Sequence, residues 1–236
     1  MSIALHLYRW AAAAQCLFKL TTCPICQTTL APHEESLCTR CAANMPRTRY
    51  HLWPDNPMER RLWGRFPLVR ATALMHYQRG SSYAQLVWML KYKGRRDLGP
   101  ALGRRIAREL RSSSFFDDID LLLPVPLHWR RQWQRSFNQS YLLAKGIAQV
   151  TGLPIDTRSL QRIHFTTAQA HHAGISRWDN VSDTFRLRHP GALAGRHVLL
   201  IDDVLTTGST LTACADALRN EPGIRISVLT LAIAGD

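Results

Sequence analysis

Apolar residues fall along this chain in two alternating rhythms, and the rhythm names the elements. Continuous apolar runs of strand length stand at Ile119-Asp120-Leu121-Leu122-Leu123-Pro124-Val125-Pro126, at residues 196–202 and at 224–233. Runs without polar alternation mark strands covered on both faces. Pro124 has no N–H for a ladder, so it must end or bulge its strand. Between the runs lie helical segments at 98–111, 137–150 and 209–220. The spacing is most regular at Leu98, Leu102, Ile106 and Leu110. Upstream, residues 67–78 predict another strand. Residues 82–92 predict a helix packing through Leu86, Trp88, Met89 and Tyr92. Strands alternating with helices from residue 119 onward argue an α/β fold, a mostly parallel sheet with helices on both faces.

The remaining segments lack such a period. Residues 1–20 read as an amphipathic helix with Leu5, Tyr8, Trp10 and Leu17 as packing positions. Residues 47–66, rich in Pro, Arg and Trp, read as irregular. Residues 156–185 are polar and predict short strands around a mobile loop. The expected organisation is a helix and cysteine module over 1–50, a linker or packing arm over 51–66, and a main domain over 67–236.

The chemistry concentrates at Val198-Leu199-Leu200-Ile201-Asp202-Asp203-Val204-Leu205-Thr206-Thr207-Gly208-Ser209-Thr210. A buried strand runs into two adjacent carboxylates, then a loop of hydroxyls and glycine, then a helix. Ligands of parallel α/β sheets bind outside the C-terminal ends of the strands. Two vicinal carboxylates can accept hydrogen bonds from two vicinal hydroxyls, as on a ribose. Thr206, Thr207, Gly208, Ser209 and Thr210 bring backbone N–H groups and hydroxyls to a helix N-terminus, which suits a phosphate. The stretch is no Walker A loop, since no Gly-Lys-Ser/Thr follows a glycine-spaced run. It has no Gly-x-Gly-x-x-Gly either. An acidic cap with an ordinary turn is the plain structural alternative.

This stretch resembles the phosphoribosyl-pyrophosphate (PRPP) signature of the type I phosphoribosyltransferases. The resemblance implies that Asp202 and Asp203 hold ribose hydroxyls and that the loop after them cradles the 5′-phosphate. Pro124-Val125-Pro126-Leu127-His128, Arg135-Ser136-Phe137-Asn138-Gln139, Thr166-x2-Gln169 and Arg177-x2-Asn180 with Phe185 beyond are similar to the ComF/GntX family. So is a four-cysteine module ahead of the transferase-like domain. Ser136 stands where that family's pattern usually has glycine. The family is associated with competence and with use of external DNA. The resemblance implies a type I phosphoribosyltransferase-like domain, a PRPP or phosphoribosyl-nucleotide ligand accompanied by magnesium, and no established acceptor.

Basic loops support an anionic ligand. The loop from Pro126 to Asn138 holds Arg130, Arg131 and Arg135, and in the resembled enzymes the equivalent loop meets the pyrophosphate. Arg131 and Arg135 are therefore candidate phosphate contacts, and Arg135 a candidate catalytic one. Asn138 reads as a helix cap or brace. Lys91, Lys93, Arg95 and Arg96 around Gly94 form a second cluster that could face the same cleft or a nucleic-acid backbone. Thr166, Gln169 and Arg177 fall where a closing loop would lie; the adjacent His171 and His172 read as exposed. No residue there is a persuasive general base.

Cys23-x2-Cys26 and Cys38-x2-Cys41 have the spacing of two zinc knuckles, and four thiolates close a structural, tetrahedral site. Cys16 and Cys214 read as buried small residues. The formal charge of +13 asks for an anionic partner without selecting phosphates, nucleic acid or an acidic membrane surface. His6, Arg9 and Lys19 interrupt the best candidate for a membrane span, no secretory signal is evident, and a cytoplasmic location is expected. Two functions remain. One is a PRPP-binding protein or phosphoribosyltransferase of unknown acceptor. The other is a non-catalytic accessory protein that contacts single-stranded DNA or DNA-uptake proteins.

Overall fold

The computed structural model describes residues 22–128, 136–163 and 184–235. The chain divides into two compact units, Met1–Met45 and Pro46–Asp236. The first unit is held by local ties. Its helix α1 (Thr39–Ala43) is capped by Cys38, whose sulfur accepts from the Cys41 N–H at 3.5 Å. Glu34 accepts from the N–H groups of Ala31 at 2.8 Å and Thr39 at 2.5 Å, closing the loop between the two cysteine pairs. Those bonds hold its carboxyl below the ordinary range. The predicted helix over 1–20, with Cys16, lies outside the described residues.

The second unit is built on a four-stranded sheet in the order β1-β6-β5-β2, every pair parallel. The strands are β1 (Leu68–Tyr77), β2 (Leu121–Pro124), β5 (His197–Leu205) and β6 (Arg225–Ala234). Pro124 ends its strand, as its missing N–H requires. The predicted strand over 196–202 is longer than expected. Val204 and Leu205 keep pairing with Ala232 and Ile233, so the two acids lie inside the last turns of pleat and not beyond them. A separate antiparallel pair is formed by β3 (Leu160–Arg162), a short strand within the polar segment 156–185, and β4 (Phe185–Leu187), which begins at that segment's last residue.

Helices cover both sheet faces. Val198 and Leu200 share one buried cluster with Met58, Leu62, Leu211, Cys214 and Leu218. On the other face α4 (Leu98–Leu110) packs along α5 (Gln139–Thr151), which lies on β2 and β5. Glycine makes that helix pair close: a Cβ on Gly103 would stand 2.2 Å from the Leu143 carbonyl oxygen, and one on Gly146 2.0 Å from that of Pro100. Leu98, Leu102, Ile106 and Leu110 are all buried, as their spacing predicts. The helix α3 (Ala84–Tyr92) rotates away from its expected face. Leu86, Val87 and Leu90 point inward, while Trp88 and Tyr92 are exposed.

The segment 47–66 packs. It forms a 3-10 turn at Tyr50–Leu52 and a helix α2 (Pro57–Leu62). The Asn56 side chain accepts from the Met58 and Glu59 N–H groups at 3.0 and 3.1 Å, Glu59 reaches back to the Asn56 N–H, and Pro57 starts the helix. This capping box is a sequence signal that six residues of helix were too short to confirm by period. Met58 and Leu62 are fully buried. The last element, α6 (Ser209–Leu218), follows the acidic strand directly.

Candidate functional site

Sheet register brings the acidic pair to the edge where the strands end. Asp202 lies opposite Thr230, and the chain leaves the sheet three residues later, after Leu205. Asp202, Thr206, Thr207, Gly208, Ser209 and Thr210 line one cavity of about 30 Å³, which also borders Val204, Leu205 and Leu211. The structure thus gathers the predicted strand end, loop and helix start in one place.

The two carboxylates differ in environment. Asp203 is buried, and its Oδ1 lies 2.8 Å from Lys91 Nζ at the end of α3. Asp202 Oδ1 accepts from Ser140 Oγ at 3.1 Å, in the first turn of α5, and from the Asp203 N–H at 2.8 Å. Burial pushes the Asp202 carboxyl up to about 7, and the neighbouring charge of Asp203 adds to the effect. Lys91, Ser140 and the Asp203 N–H act in the opposite sense and do not offset it. Near neutrality Asp202 therefore stands between an acceptor-only carboxylate and a protonated group that also donates.

The loop is shaped from outside. Arg61 Nη1 donates to the Thr206 carbonyl at 3.3 Å and to the Ala234 carbonyl at 2.6 Å; Arg65 Nη1 donates to the Thr207 carbonyl at 2.5 Å. Two carbonyl oxygens of the loop are thus turned toward cations of the 57–65 segment. Gly208 sits at φ +85°, and a Cβ there would stand 2.9 Å from Leu62 Cδ2 and 3.0 Å from Arg65 Nη1. Both its conformation and its clearance require glycine. As the N-cap of α6 it also offers no side chain to the first helical N–H groups, which leaves that turn suited to an anion.

Asn138 caps α5, accepting from the Ser140 and Tyr141 N–H groups at 3.0 and 3.4 Å, and it braces the Val125 carbonyl at 3.0 Å. Ser136 adopts φ +62°, the left-handed region that glycine occupies without cost. The basic cluster around Gly94 is consumed locally. Lys91 goes to Asp203, Arg95 makes a two-pronged contact with Asp97, Arg96 donates to the Ser136 carbonyl at 3.1 Å and lies over Phe137, and Lys93 lies 4.8 Å over Trp88. Arg130, Arg131, Arg135, Thr166, Gln169, His171, His172, Arg177 and Asn180 lie outside the described residues. Ser140, Arg61 and Arg65 were missed by sequence reasoning. Ser140 directly follows the Phe-Asn-Gln signature, and the arginines lie in a segment without period.

The four predicted cysteines converge in the first unit. The sulfurs of Cys23, Cys26, Cys38 and Cys41 all lie within 4.8 Å of one another, with Cys26 and Cys38 at 3.5 Å. Thiolate bonds of about 2.3 Å in a tetrahedron place sulfurs about 3.8 Å apart, so the cluster is suited to a metal ion. Hydrogen bonds from Thr28 lower the Cys26 thiol to about 6, whereas burial pushes Cys41 up. Cys214 is fully buried, as its small apolar character predicts.

The phosphoribosyl transferase domain family matches residues 138–235, from the cap of α5 to the end of β6. The DNA utilization protein YhgH of Salmonella typhimurium is 32% identical over 221 residues, covering 89% of this chain and 95% of that protein. The chain belongs to the ComF/YhgH family. Its fold is accordingly the mostly parallel, phosphoribosyltransferase-like one, with a four-cysteine module ahead of it. The Escherichia coli K12 member is 30% identical over 212 residues, covering 89% of this chain and 88% of that protein. Competence protein F of Haemophilus influenzae is 34% identical over 116 residues, covering 49% of this chain and 51% of that protein. Among the described residues no helix is long and apolar enough to cross a membrane.

Proposed function

We propose that this ComF/YhgH-family chain binds PRPP or a phosphoribosyl nucleotide at the cavity after β5. Asp202 and Asp203 accept the ribose hydroxyls, and Thr206 to Thr210 receive the 5′-phosphate on backbone N–H groups and hydroxyls. The observation that carries this reading is the convergence of Asp202 and the glycine-dependent loop on one cavity at the end of β5, with Asp203 the next residue of the strand. Lys91 pairs with Asp203, and Arg61 and Arg65 keep loop carbonyls away from the phosphate. Arg131 and Arg135 are proposed to meet the pyrophosphate.

Magnesium is bound in such sites by one or two carboxylates together with substrate phosphates, a donor set that Asp202 and Asp203 fit. It would neutralise charge on the leaving group. If transfer follows, the ribosyl carbon exchanges its bond to pyrophosphate for one to an acceptor nucleophile, with pyrophosphate leaving as the anion. Asp202 and Asp203 then serve by orienting the ribose, and Arg135 by holding the departing charge. The four-cysteine module is proposed to hold structural zinc.

The relatives' name as DNA utilization proteins favours a second reading, a nucleic-acid-binding accessory role. The Gly94 cluster is a poor surface for it, since its cations are engaged by neighbours. Thermal unfolding with ribose 5-phosphate, PRPP, pyrophosphate and 5′-nucleotides separates the readings. The first expects PRPP or a nucleotide to raise the transition more than pyrophosphate does. No shift with any phosphoribosyl compound would leave only the second.

A further inference from the structure

A second cavity, in the second unit, has no part in the cradle. It measures about 510 Å³ and shares no lining residue with the cavity after β5. That volume lies within the range of about 300–1,000 Å³ usual for ligand clefts. Its walls come from two places. Residues 47–48 run antiparallel along β1, with Arg47 bridged to Met75 and the Thr48 N–H donating to the Leu74 carbonyl at 3.2 Å. The chain then turns at Arg49, in the left-handed region at φ 57°, into the 3-10 turn that holds His51. Across the cavity, the last turn of α4 brings Arg105, Arg108 and Glu109. Spacings of three and four put these along one side of the helix, flanking its buried face.

Four guanidiniums thus surround one cavity against a single carboxylate, Glu109, which lies 2.8 Å from Arg47 Nε. Cations near a helix C-terminus are favoured by its dipole, which accounts for Arg108 alone. It does not account for Arg47 and Arg49, which arrive from a segment more than fifty residues earlier. Like charges held about a cavity repel, and an anion with several charged oxygens relieves that repulsion. Guanidinium forks match phosphate oxygens in pairs. Leu52, which also lines the cavity, is 58% exposed, and the next residue in the chain, Trp53, is 42% exposed, an aromatic face that suits stacking of an unpaired base.

We propose that Arg47, Arg49, Arg105 and Arg108 form a second anion site that takes consecutive phosphates. The source is either a free polyphosphate or the backbone of a single strand. This inference does not rest on the phosphoribosyl reading, and its variants leave Asp202 and Asp203 untouched. The test uses full-length zinc-loaded protein, a fluorescent oligothymidylate measured by anisotropy across a salt series, and inorganic triphosphate as competitor. The variants are Arg49→Gln/Arg108→Gln, at two exposed positions, and the charge reversal Arg108→Glu. Lys93→Gln is the control, and unfolding curves check that each variant folds.

The double variant is expected to weaken oligothymidylate binding at least tenfold at low salt. The slope of log affinity against log salt should fall by about 1.4, since each lost phosphate contact on a single strand accounts for about 0.7. The control should change neither. If only triphosphate binds and the double variant loses it, the site stands and its ligand is a free polyphosphate. If neither ligand binds the wild type, or folded variants bind both as the wild type does, the proposal is overturned.

Discussion

Lys91 Nζ stands 2.8 Å from Asp203 Oδ1, so a helix predicted for packing delivers the cation that balances the acidic strand. Hydrogen bonds to charged groups are worth about 1.5–3 kcal/mol when partly buried. Lys91→Met therefore weakens phosphoribosyl binding by about tenfold or more. It also drives the Asp202 carboxyl above about 7, because the Lys91 charge is one of the influences holding it down. A carboxyl-carbon NMR titration of the variant checks the direction.

Asp202 itself makes stability depend on pH in an unusual sense. Its folded value of about 7 lies above the ordinary 3.8. The folded state thus binds more protons between those values, and stability falls as pH rises from about 4 to about 7. Asp202→Asn removes that cost. The variant should unfold at a higher temperature than the wild type at pH 8, and the gap should close by pH 4. Ligand affinity should move the opposite way in the wild type, rising through about pH 7 as Asp202 becomes acceptor-only. A residue kept at a cost in stability is the pattern expected of a functional role such as the one proposed for Asp202.

Gly208→Ala tests the loop. The left-handed conformation costs a residue with a Cβ about 1–2 kcal/mol. The contacts at 2.9 Å to Leu62 and 3.0 Å to Arg65 add to this. Urea unfolding should lose at least that much, and ligand binding should weaken further, because Arg65 is the group that fixes the Thr207 carbonyl.

Ser136 carries a smaller strain of the same kind at φ +62°. Ser136→Gly should raise stability by up to about 1 kcal/mol, offset in part by the greater freedom of the unfolded chain. Its carbonyl still accepts from Arg96. Denaturant midpoints measured side by side give the sign.

The cysteine module should carry one zinc ion per chain, measured by atomic absorption, and lose it with Cys38→Ser. Cys38 is chosen because its sulfur also caps α1. The described part of that unit has few buried apolar side chains, Leu37, Ala42 and Met45 among them, so chelation should expose it to protease at residues 22–45.

Much of this was legible in the residues. Leu98, Leu102, Ile106 and Leu110 announced α4, the continuous runs announced parallel strands, the acidic strand end and its loop announced one cavity, and the four cysteines announced one cluster. The helix α3 was legible as a helix but not in its rotation, because Trp88 serves as a platform for Lys93 and not as core. Period could not reveal α2, which is set by a cap. The partners Arg61, Arg65 and Ser140 depend on contacts between segments far apart in the chain, to which local spacing is blind. The end of β5 was placed three residues early, since carboxylates look like a strand's end until Lys91 and Ser140 are known to receive them.

The central claim is that the two acids after Ile201 bind the ribose of PRPP. Calorimetry of the zinc-loaded chain with PRPP and magnesium tests it most directly, with Asp202→Asn/Asp203→Asn as the paired variant. Saturable binding by the wild type, absent from a folded double variant, is the predicted result. A wild type silent at millimolar PRPP, or a double variant that binds as tightly, would contradict it.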